Sequence, residues 1–164
     1  MADRIFVTGL GEDSHRFTTQ QKALVLGGYT CSAQGGFEAN SDGDVILHAL
    51  CNALSSLTGK PVLGPRADEL CRQGKTNSRT YLALALEDLQ NDRRDWEVHH
   101  IAISLEGAQP KILPLQEKIR DSLAALMGLG AEDVGLTATT GEGLTAFGQG
   151  QGLRCTVSVS ASYR

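Results

Sequence analysis

The sequence lacks the features that mark several large classes of protein. It has no apolar run of the roughly 18 residues that a transmembrane helix needs. Its 15 lysines and arginines are outnumbered by 19 aspartates and glutamates, so it offers no basic surface for nucleic acid. Residues 1–4 lead directly into a strand-like segment instead of a signal or transit peptide. These absences predict a cytoplasmic protein that binds neither membranes nor nucleic acid.

The cysteines show no pairing pattern. Cys31, Cys51, Cys71 and Cys155 include no C-x-x-C motif, and without a secretory context the expected state is the free thiol. Cys51 alone could also ligate a metal, because it follows His48 closely on the same predicted helix. The glycine-rich segment 141–152 likewise lacks Rossmann or Walker spacing, although its amides could approach a phosphate.

Length and apolar patterning predict one α/β domain over residues 1–164. Strands are predicted at 4–10, 98–105, 134–140 and 153–161. Residues 22–29 are predicted to be a short extended segment, either half of a hairpin or an edge ribbon, with Gly27–Gly28 as the turn. Helices are predicted from about residue 42, at 78–89 with Ser78 as cap, and at 115–127, whereas 58–77 is predicted to be a loop with at most one helical turn. This order predicts a sandwich of about four strands with three helices on one face.

A polar stripe interrupts the first predicted helix. Ser41 and Asp44 resemble a capping box, which predicts a helix start near Asp42. Asp44, His48 and Asn52 follow at intervals of four and share one face of that helix. A helical histidine is more often structural than a ligand, so the meaning of His48 depends on the residues that lie opposite it.

Asp13 and His15 are possible partners for His48. They stand two apart in an extended segment and therefore point the same way. A carboxylate and two imidazoles with an open fourth position are typical of a catalytic zinc, whereas a structural zinc is closed by four protein ligands. The same donors suit several other divalent ions. The sequence thus predicts a catalytic metal site, with a structural role for His48 as the alternative.

Four separated motifs resemble those of one enzyme family. They are G-x-G-x-D-x-H at 9–15, S-D-G-D-x-x-x-H-A-L at 41–50, A-Q-P-K-I-L-P at 108–114 and A-T-T-G-E-G-L at 138–144. In this order, and over nearly the whole chain, they are similar to the 2-C-methyl-D-erythritol 2,4-cyclodiphosphate synthase family of the non-mevalonate isoprenoid pathway.

The resemblance implies both an architecture and a reaction. The expected fold is a ferredoxin-like sandwich with a mixed sheet, assembled as a homotrimer with active sites between subunits. The expected reaction is an intramolecular phosphoryl transfer, in which the 2-phosphate of a cytidine-diphosphate-linked methylerythritol attacks the β-phosphate and CMP leaves. Such a phosphorus–oxygen lyase works mainly through positioning and charge stabilisation.

The resemblance also implies roles for individual residues. Zinc, or another divalent transition metal, is expected on Asp13, His15 and His48, and magnesium or manganese on Glu142. The expected catalytic residues are Lys111, Thr140 and Glu142. The expected substrate contacts are Asn40, Ser41, Ala108, Gln109, Pro110, Lys111, Ile112, Leu113, Thr139 and Thr140, with the CMP part held by the adjacent subunit.

Several positions depart from the family pattern. Asn40 replaces a histidine and Asn52 an aspartate, and T-G-K-P-V-L-G-P-R-A-D at 58–68 replaces the D-I-G-x-x-F-P-D-x-D-P segment that closes over the substrate. Three hypotheses therefore remain: a synthase with a diverged lid, a paralogue acting on another nucleotide diphosphate, and a noncatalytic trimer that binds a metal or nucleotide.

Overall fold

The computed structural model describes residues 3–164. Within them, strands and helices follow one another as β1 (Ile5–Arg16), β2 (Leu24–Leu26), β3 (Tyr29–Ser32), α1 (Val45–Thr58), α2 (Pro65–Arg72), α3 (Ser78–Gln90), β4 (Glu97–Glu106), α4 (Gln116–Met127), β5 (Val134–Thr139) and β6 (Gly152–Tyr163). Met1 and Ala2, which belong to the N-terminal segment considered above, lie outside the described residues.

The largest element is a mixed four-stranded sheet in the order β1-β6-β4-β5. β1 and β4 run antiparallel to β6, while β5 runs parallel to β4. α1 packs on β1 and β6, α3 packs on α1, and α4 packs beside β5. The predicted α+β sandwich is confirmed. β2 and β3 form a hairpin, with Gly27 and Gly28 at its turn as predicted.

Two glycines let α1 lie directly on β1. Gly9 and Gly11 are buried beneath the helix, and a Cβ at Gly11 would collide with the backbone of Ala49 and Ala53. Because side chains alternate between the two faces of a strand, Asp13 and His15 lie on the same face of β1 as Gly9 and Gly11 and point toward the helix layer. β1 continues to Arg16 instead of ending at residue 10, because its pairing with β6 is continuous along its whole length.

The start of α1 corrects the sequence prediction. The helix begins at Val45 and not near Asp42, because Asp44 is its N-cap. Asp44 Oδ1 accepts hydrogen bonds from the amides of Ile46 and Leu47 at 3.2 and 3.0 Å. The same carboxylate accepts the two amides of the β2–β3 turn at 2.9 and 2.6 Å. Asp44 therefore joins the hairpin to the helix, and burial raises its pKa to about 6.

Segment 58–77 also differs from its prediction as a loop. It contains the eight-residue helix α2, so residues 3–164 contain four α-helices where three helices were predicted. Pro65 occupies the first turn, where its fixed φ favours helix and its missing amide proton costs nothing. Arg66 pairs with Asp88 of α3 at 2.6 Å and anchors α2 against α3. Since Ala67 is the only buried residue of α2, the helix shows little apolar periodicity in the sequence.

The sheet face opposite the helices is open. Phe6 and Leu10 on β1 are 73% and 59% exposed there. Ser158 and Ser160 on β6 lie beside them on the same face, as the alternation of that strand predicted. A broad surface with exposed apolar side chains among small polar ones is typical of an association surface.

The structure also bears on the remaining expectations from composition. Within residues 3–164, no helix is both long enough and apolar enough to cross a membrane. The cytoplasmic location stays a prediction. All four cysteines are free thiols, as expected.

Candidate functional site

β1 and α1 bring three of the predicted residues together. His48 lies in the first turn of α1, and Asp13 and His15 lie near the end of β1 on the side that α1 covers. Asp13 Oδ2 is 2.9 Å from His15 Nε2 and 3.0 Å from His48 Nδ1, and the two imidazole nitrogens are 3.0 Å apart. We call these residues the three-donor cluster.

The three-donor cluster fits a divalent ion. Zinc takes nitrogen and carboxylate ligands at about 2.0–2.2 Å, which separates tetrahedral donor atoms by roughly 3.3 Å. Two imidazole nitrogens 3.0 Å apart cannot both direct protons at each other, whereas a cation between them accepts both lone pairs. Among the residues that the structure describes, this is the only group of three or more histidine, cysteine or acidic side chains close enough to share an ion.

Electrostatics favour a ligating carboxylate at this position. Burial alone would raise the pKa of Asp13, but the contacts with His15 and His48 outweigh it and lower the pKa to about 2. Cys51, the alternative ligand, lies outside the cluster. Burial raises the pKa of its thiol to about 12, so it is not a thiolate at neutral pH and is a poor metal ligand.

The far nitrogen of His48 has partners of its own. Nε2 lies 2.9 Å from Ser78 Oγ and 3.4 Å from Ser41 Oγ. Ser78 contacts the Asp42 carboxylate through both its hydroxyl and its amide. The prediction that Ser78 caps α3 is wrong, because Asn77 takes that role. Asn77 and Ser78 are both residue types that cap helices, whereas the start of one helix needs only one cap. This surplus was the available sequence signal that Ser78 has another role.

The segment before α1 contains the remaining predicted residues on this side. Ser41 is buried, and Asn40 lines a neighbouring cavity of about 530 Å³. Lys22 holds the segment in place, because its Nζ donates to the carbonyls of Phe37, Ala39 and Ser41 at 3.0, 2.9 and 2.6 Å. Burial lowers the pKa of Lys22. Sequence reasoning missed this lysine, whose acceptors are backbone atoms and leave no side-chain pattern.

The other predicted residues surround a second cavity, of about 460 Å³, between the end of β5 and the 107–113 loop. We call it the loop cavity. Every predicted loop residue except Gln109 lines it, together with both threonines: Ala108, Pro110, Lys111, Ile112, Leu113, Thr139 and Thr140. Glu142 follows in a tight turn with a φ of 54°, and its amide donates to the Thr140 hydroxyl at 3.3 Å. Strained non-glycine backbone of this kind often marks functional sites.

The three-donor cluster and the loop cavity lie at opposite edges of the sheet. Asp13 pairs with Cys155, Cys155 with Leu105, and Leu105 with Ala138. Three strand spacings, about 14 Å in total, therefore separate the strand that carries the cluster from the strand that leads into the cavity. Glu142 is not part of the three-donor cluster. The two groups of predicted residues do not meet within one chain.

Known proteins resemble this chain over nearly its whole length. The model of the YgbB family matches residues 6–162. The chain is 46% identical over 154 residues to the 2-C-methyl-D-erythritol 2,4-cyclodiphosphate synthase of Chlamydia trachomatis serovar L2b (strain UCH-1/proctitis), across 92% of this chain and 85% of that protein. Identity to the protein of the same name from Chlamydia muridarum (strain MoPn / Nigg) is 44%, with the same coverage.

Solved structures share the fold. The bifunctional IspDF of Campylobacter jejuni gives a TM-score of 0.87 at 27% identity, across 99% of this chain but 43% of that longer one. A 2C-methyl-D-erythritol-2,4-cyclodiphosphate synthase in a CDP-bound form gives 0.77 at 29% identity, across 93% and 98% of the two chains. The family predicted from the four motifs is therefore confirmed: this chain belongs to the YgbB family, together with the 2-C-methyl-D-erythritol 2,4-cyclodiphosphate synthases that it matches.

Proposed function

We propose that this chain catalyses the cyclodiphosphate synthase reaction on a cytidine-diphosphate-linked methylerythritol 2-phosphate. An oxygen of the 2-phosphate forms a bond to the β-phosphorus, the bond from that phosphorus to the bridging oxygen breaks, and CMP leaves with the electron pair. The proposal is carried by the convergence of Asp13, His15 and His48 in a chain 46% identical to a curated synthase.

The three-donor cluster would hold a divalent ion, which we propose to be zinc. When bound, that ion would supply a Lewis acid to a β-phosphate oxygen. Asp13 and the two imidazoles would orient the phosphate through the ion. Ser41, which lies beside His48, would donate its hydroxyl to the diphosphate, and Asn40 would contact the substrate from the neighbouring cavity.

The loop cavity would receive the CMP part of the substrate. Lys111 and Thr140 line it, and in a chain with a net charge of −4 a lysine at this position is a favourable partner for phosphate. The remaining substrate contacts would come from residues 108–113 and Thr139. Glu142, on the adjoining turn, would hold a magnesium or manganese ion, which would supply positive charge to stabilise the phosphates.

A single chain would not bring these two parts together, so we also propose a homotrimer of one-domain subunits with active sites between them. The open sheet face, with Phe6 and Leu10 exposed, would be buried by assembly. Leu113, which lines the loop cavity, and Leu144, two residues after Glu142, are 82% and 85% exposed and would face the neighbouring subunit. Light scattering should then give a mass close to three times the 17.4 kDa of one chain. A mass of one chain would contradict the assembly.

The activity is tested by incubating the purified protein with zinc, magnesium and the cytidine-linked methylerythritol phosphate. We expect CMP and the cyclic diphosphate in equal amounts, because one bond-breaking step produces both. Absence of both products from a protein with one zinc bound per chain would contradict the proposal.

A second candidate is a paralogue that acts on another nucleotide diphosphate. One observation favours it: α2 occupies the segment where the family carries its substrate lid, and Asn40 stands in place of a histidine. In that case CMP and CDP would bind without turnover of the methylerythritol substrate. Incubation with other cytidine diphosphate conjugates, followed by assay for CMP, would identify the accepted substrate.

A further inference from the structure

The hydrogen bonds behind His48 form a continuous path from α1 to α3. Asp42 lies in the loop before α1, and Ser78 is the first residue of α3. The hydroxyl of the fully buried Ser78 donates to Asp42 Oδ1, and Ser78 Oγ itself lies 2.9 Å from His48 Nε2. Asp42 Oδ2 also accepts the Ser78 amide at 3.0 Å.

Counting protons along this path determines the form of the imidazole. A carboxylate only accepts hydrogen bonds, so the single hydroxyl proton of Ser78 is directed to Asp42. Ser78 Oγ then has only lone pairs for its second contact, and His48 Nε2 must be the donor. A neutral imidazole carries one proton, which leaves a lone pair on His48 Nδ1. That nitrogen faces Asp13 Oδ2 at 3.0 Å.

Further hydrogen bonds hold Asp42 in place, and Ser78 has no competing role as a helix cap. The cap of α3 is Asn77, so the Ser78 side chain is not needed for that purpose. Asp42 is fixed through its own amide, which donates to the Thr76 carbonyl at 2.9 Å, and through Oδ1, which accepts the Asp44 amide at 3.1 Å. The path therefore has one defined geometry.

We infer that Ser78 and Asp42 are positioning residues for the metal site, holding His48 with its Nδ1 lone pair directed at the ion. The inference rests on the metal site proposed above. Partners of this kind behind a ligating histidine fix its tautomer and orientation, and their loss typically weakens metal binding by about 10–100-fold. A purely structural role, in which the pair only fastens α3 to the loop before α1, makes a different prediction: reduced stability with unchanged metal affinity.

The test measures zinc affinity by competition with a chromophoric chelator, on variants shown by circular dichroism to be folded at the assay temperature. We expect Ser78→Ala to raise the zinc Kd by about 10–100-fold. Asp42→Asn should raise it less, by roughly 3–10-fold, because an amide oxygen still accepts the hydroxyl proton without the charge. If Ser78→Ala does not fold, Asp42→Asn alone carries the test.

Two serines provide matched controls. Ser41→Ala removes the hydroxyl that lies 3.4 Å from the same nitrogen, a distance too long for a strong hydrogen bond. Ser56→Ala removes a hydroxyl of α1 that accepts the Leu10 amide at 3.2 Å, away from the cluster. Both should keep the wild-type zinc Kd to within about twofold. An effect of Ser41→Ala that exceeds that of Ser78→Ala would overturn the inference.

Nuclear magnetic resonance provides a readout that a purely structural role would not change. In the zinc-loaded wild type, the Nε2 proton of His48 should give a slowly exchanging downfield signal, present in Ser41→Ala and lost in Ser78→Ala. An unchanged signal and an unchanged zinc Kd in Ser78→Ala would refute the inference while leaving the metal site in place. Failure of the wild type to bind zinc would instead refute the proposed metal site.

Discussion

The three-donor cluster and the loop cavity differ in how completely one chain builds them. In the cluster, the side chains of Asp13, His15 and His48 are 23%, 17% and 9% exposed, and each contacts the other two. Around the loop cavity, Lys111 is exposed, and Leu113 beside it is 82% exposed. The packing of strand and helix therefore preorganises the three-donor cluster, whereas side chains of the loop cavity remain exposed in a single chain.

The difference indicates which functions a single subunit can perform. A metal site needs donor atoms fixed to within a few tenths of an ångström, which packed elements provide better than loops. A nucleotide site can be completed by residues of a second subunit and by the contacts that form when the ligand binds. We therefore expect metal binding and nucleotide binding to respond to different mutations.

The largest expected effect is the loss of the cluster. His48→Ala removes one of three donors, so zinc content should fall to background and turnover by at least about 10²–10³-fold. CMP affinity, measured by calorimetry, should change by less than about threefold, because the loop cavity keeps all its residues. His99→Ala removes a histidine outside the cluster and should keep its zinc. Full zinc occupancy in His48→Ala would remove the ligand assignment.

Mixing two inactive subunits tests whether an active site draws on two chains. In trimers co-expressed from equal amounts of His48→Ala and Glu142→Ala chains, a site is intact only when its metal part comes from a Glu142→Ala chain and its nucleotide part from a His48→Ala chain. Random assembly should therefore restore about a quarter of the wild-type activity per site. Each variant alone should remain inactive. Sites built within one chain would show no recovery.

Close packing of α1 on β1 is the basis of the cluster, and Gly11→Ala should disturb it. The added methyl group would meet the backbone of Ala49 and Ala53, which displaces the helix that carries His48. We expect a loss of about 1–3 kcal/mol in the free energy of unfolding and a zinc Kd raised at least about tenfold. Gly135→Ala is the control, since its nearest neighbour would be His100 at 3.6 Å, and it should bind zinc normally.

The loop cavity should respond to a change in charge without any effect on the metal. Lys111→Ala removes the cation proposed to contact a phosphate, which should weaken CMP binding by roughly 10–100-fold. Zinc content should stay at the wild-type value. Lys118→Ala, an exposed lysine on the adjoining helix α4, should leave CMP binding unchanged. Equal losses in the two variants would point to a general effect of charge and not to a contact.

Local patterns were sufficient to predict the residues of the cluster. Asp13 and His15 stand two apart in a strand, and His48 lies in the first turn of an amphipathic helix, so spacing and donor chemistry singled them out as a candidate metal site. The strand order was not available from spacing. Spacing alone therefore could not place the cluster and the loop cavity at opposite edges of one sheet, although the family resemblance implied that the CMP part is held by an adjacent subunit.

Contacts between distant segments account for most of what the sequence did not reveal. Ser78 reaches His48 across 30 residues, and its hydroxyl resembles a cap until Asn77 is seen to take that role. Asp44 was predicted to form a capping box with Ser41. The sequence did not show that Asp44 itself caps the helix, which moves the helix start to Val45. The helix α2 escaped prediction because it buries so little apolar surface.

The smallest effect is expected at Lys22, where one substitution should change both the stability of the protein and its binding of substrate. Lys22→Met keeps the length of the side chain but leaves three backbone carbonyls without their donor. The free energy of unfolding should fall by about 1–3 kcal/mol. Because the same carbonyls fix Asn40 and Ser41, the KM should rise by roughly 3–10-fold through a loss of substrate orientation. Zinc affinity should stay within twofold, since the three donors lie on β1 and α1. Lys60→Met, at an exposed lysine, should change neither the free energy of unfolding nor the KM. A normal KM in Lys22→Met would show that the hydrogen bonds of Lys22 do not contribute to substrate binding.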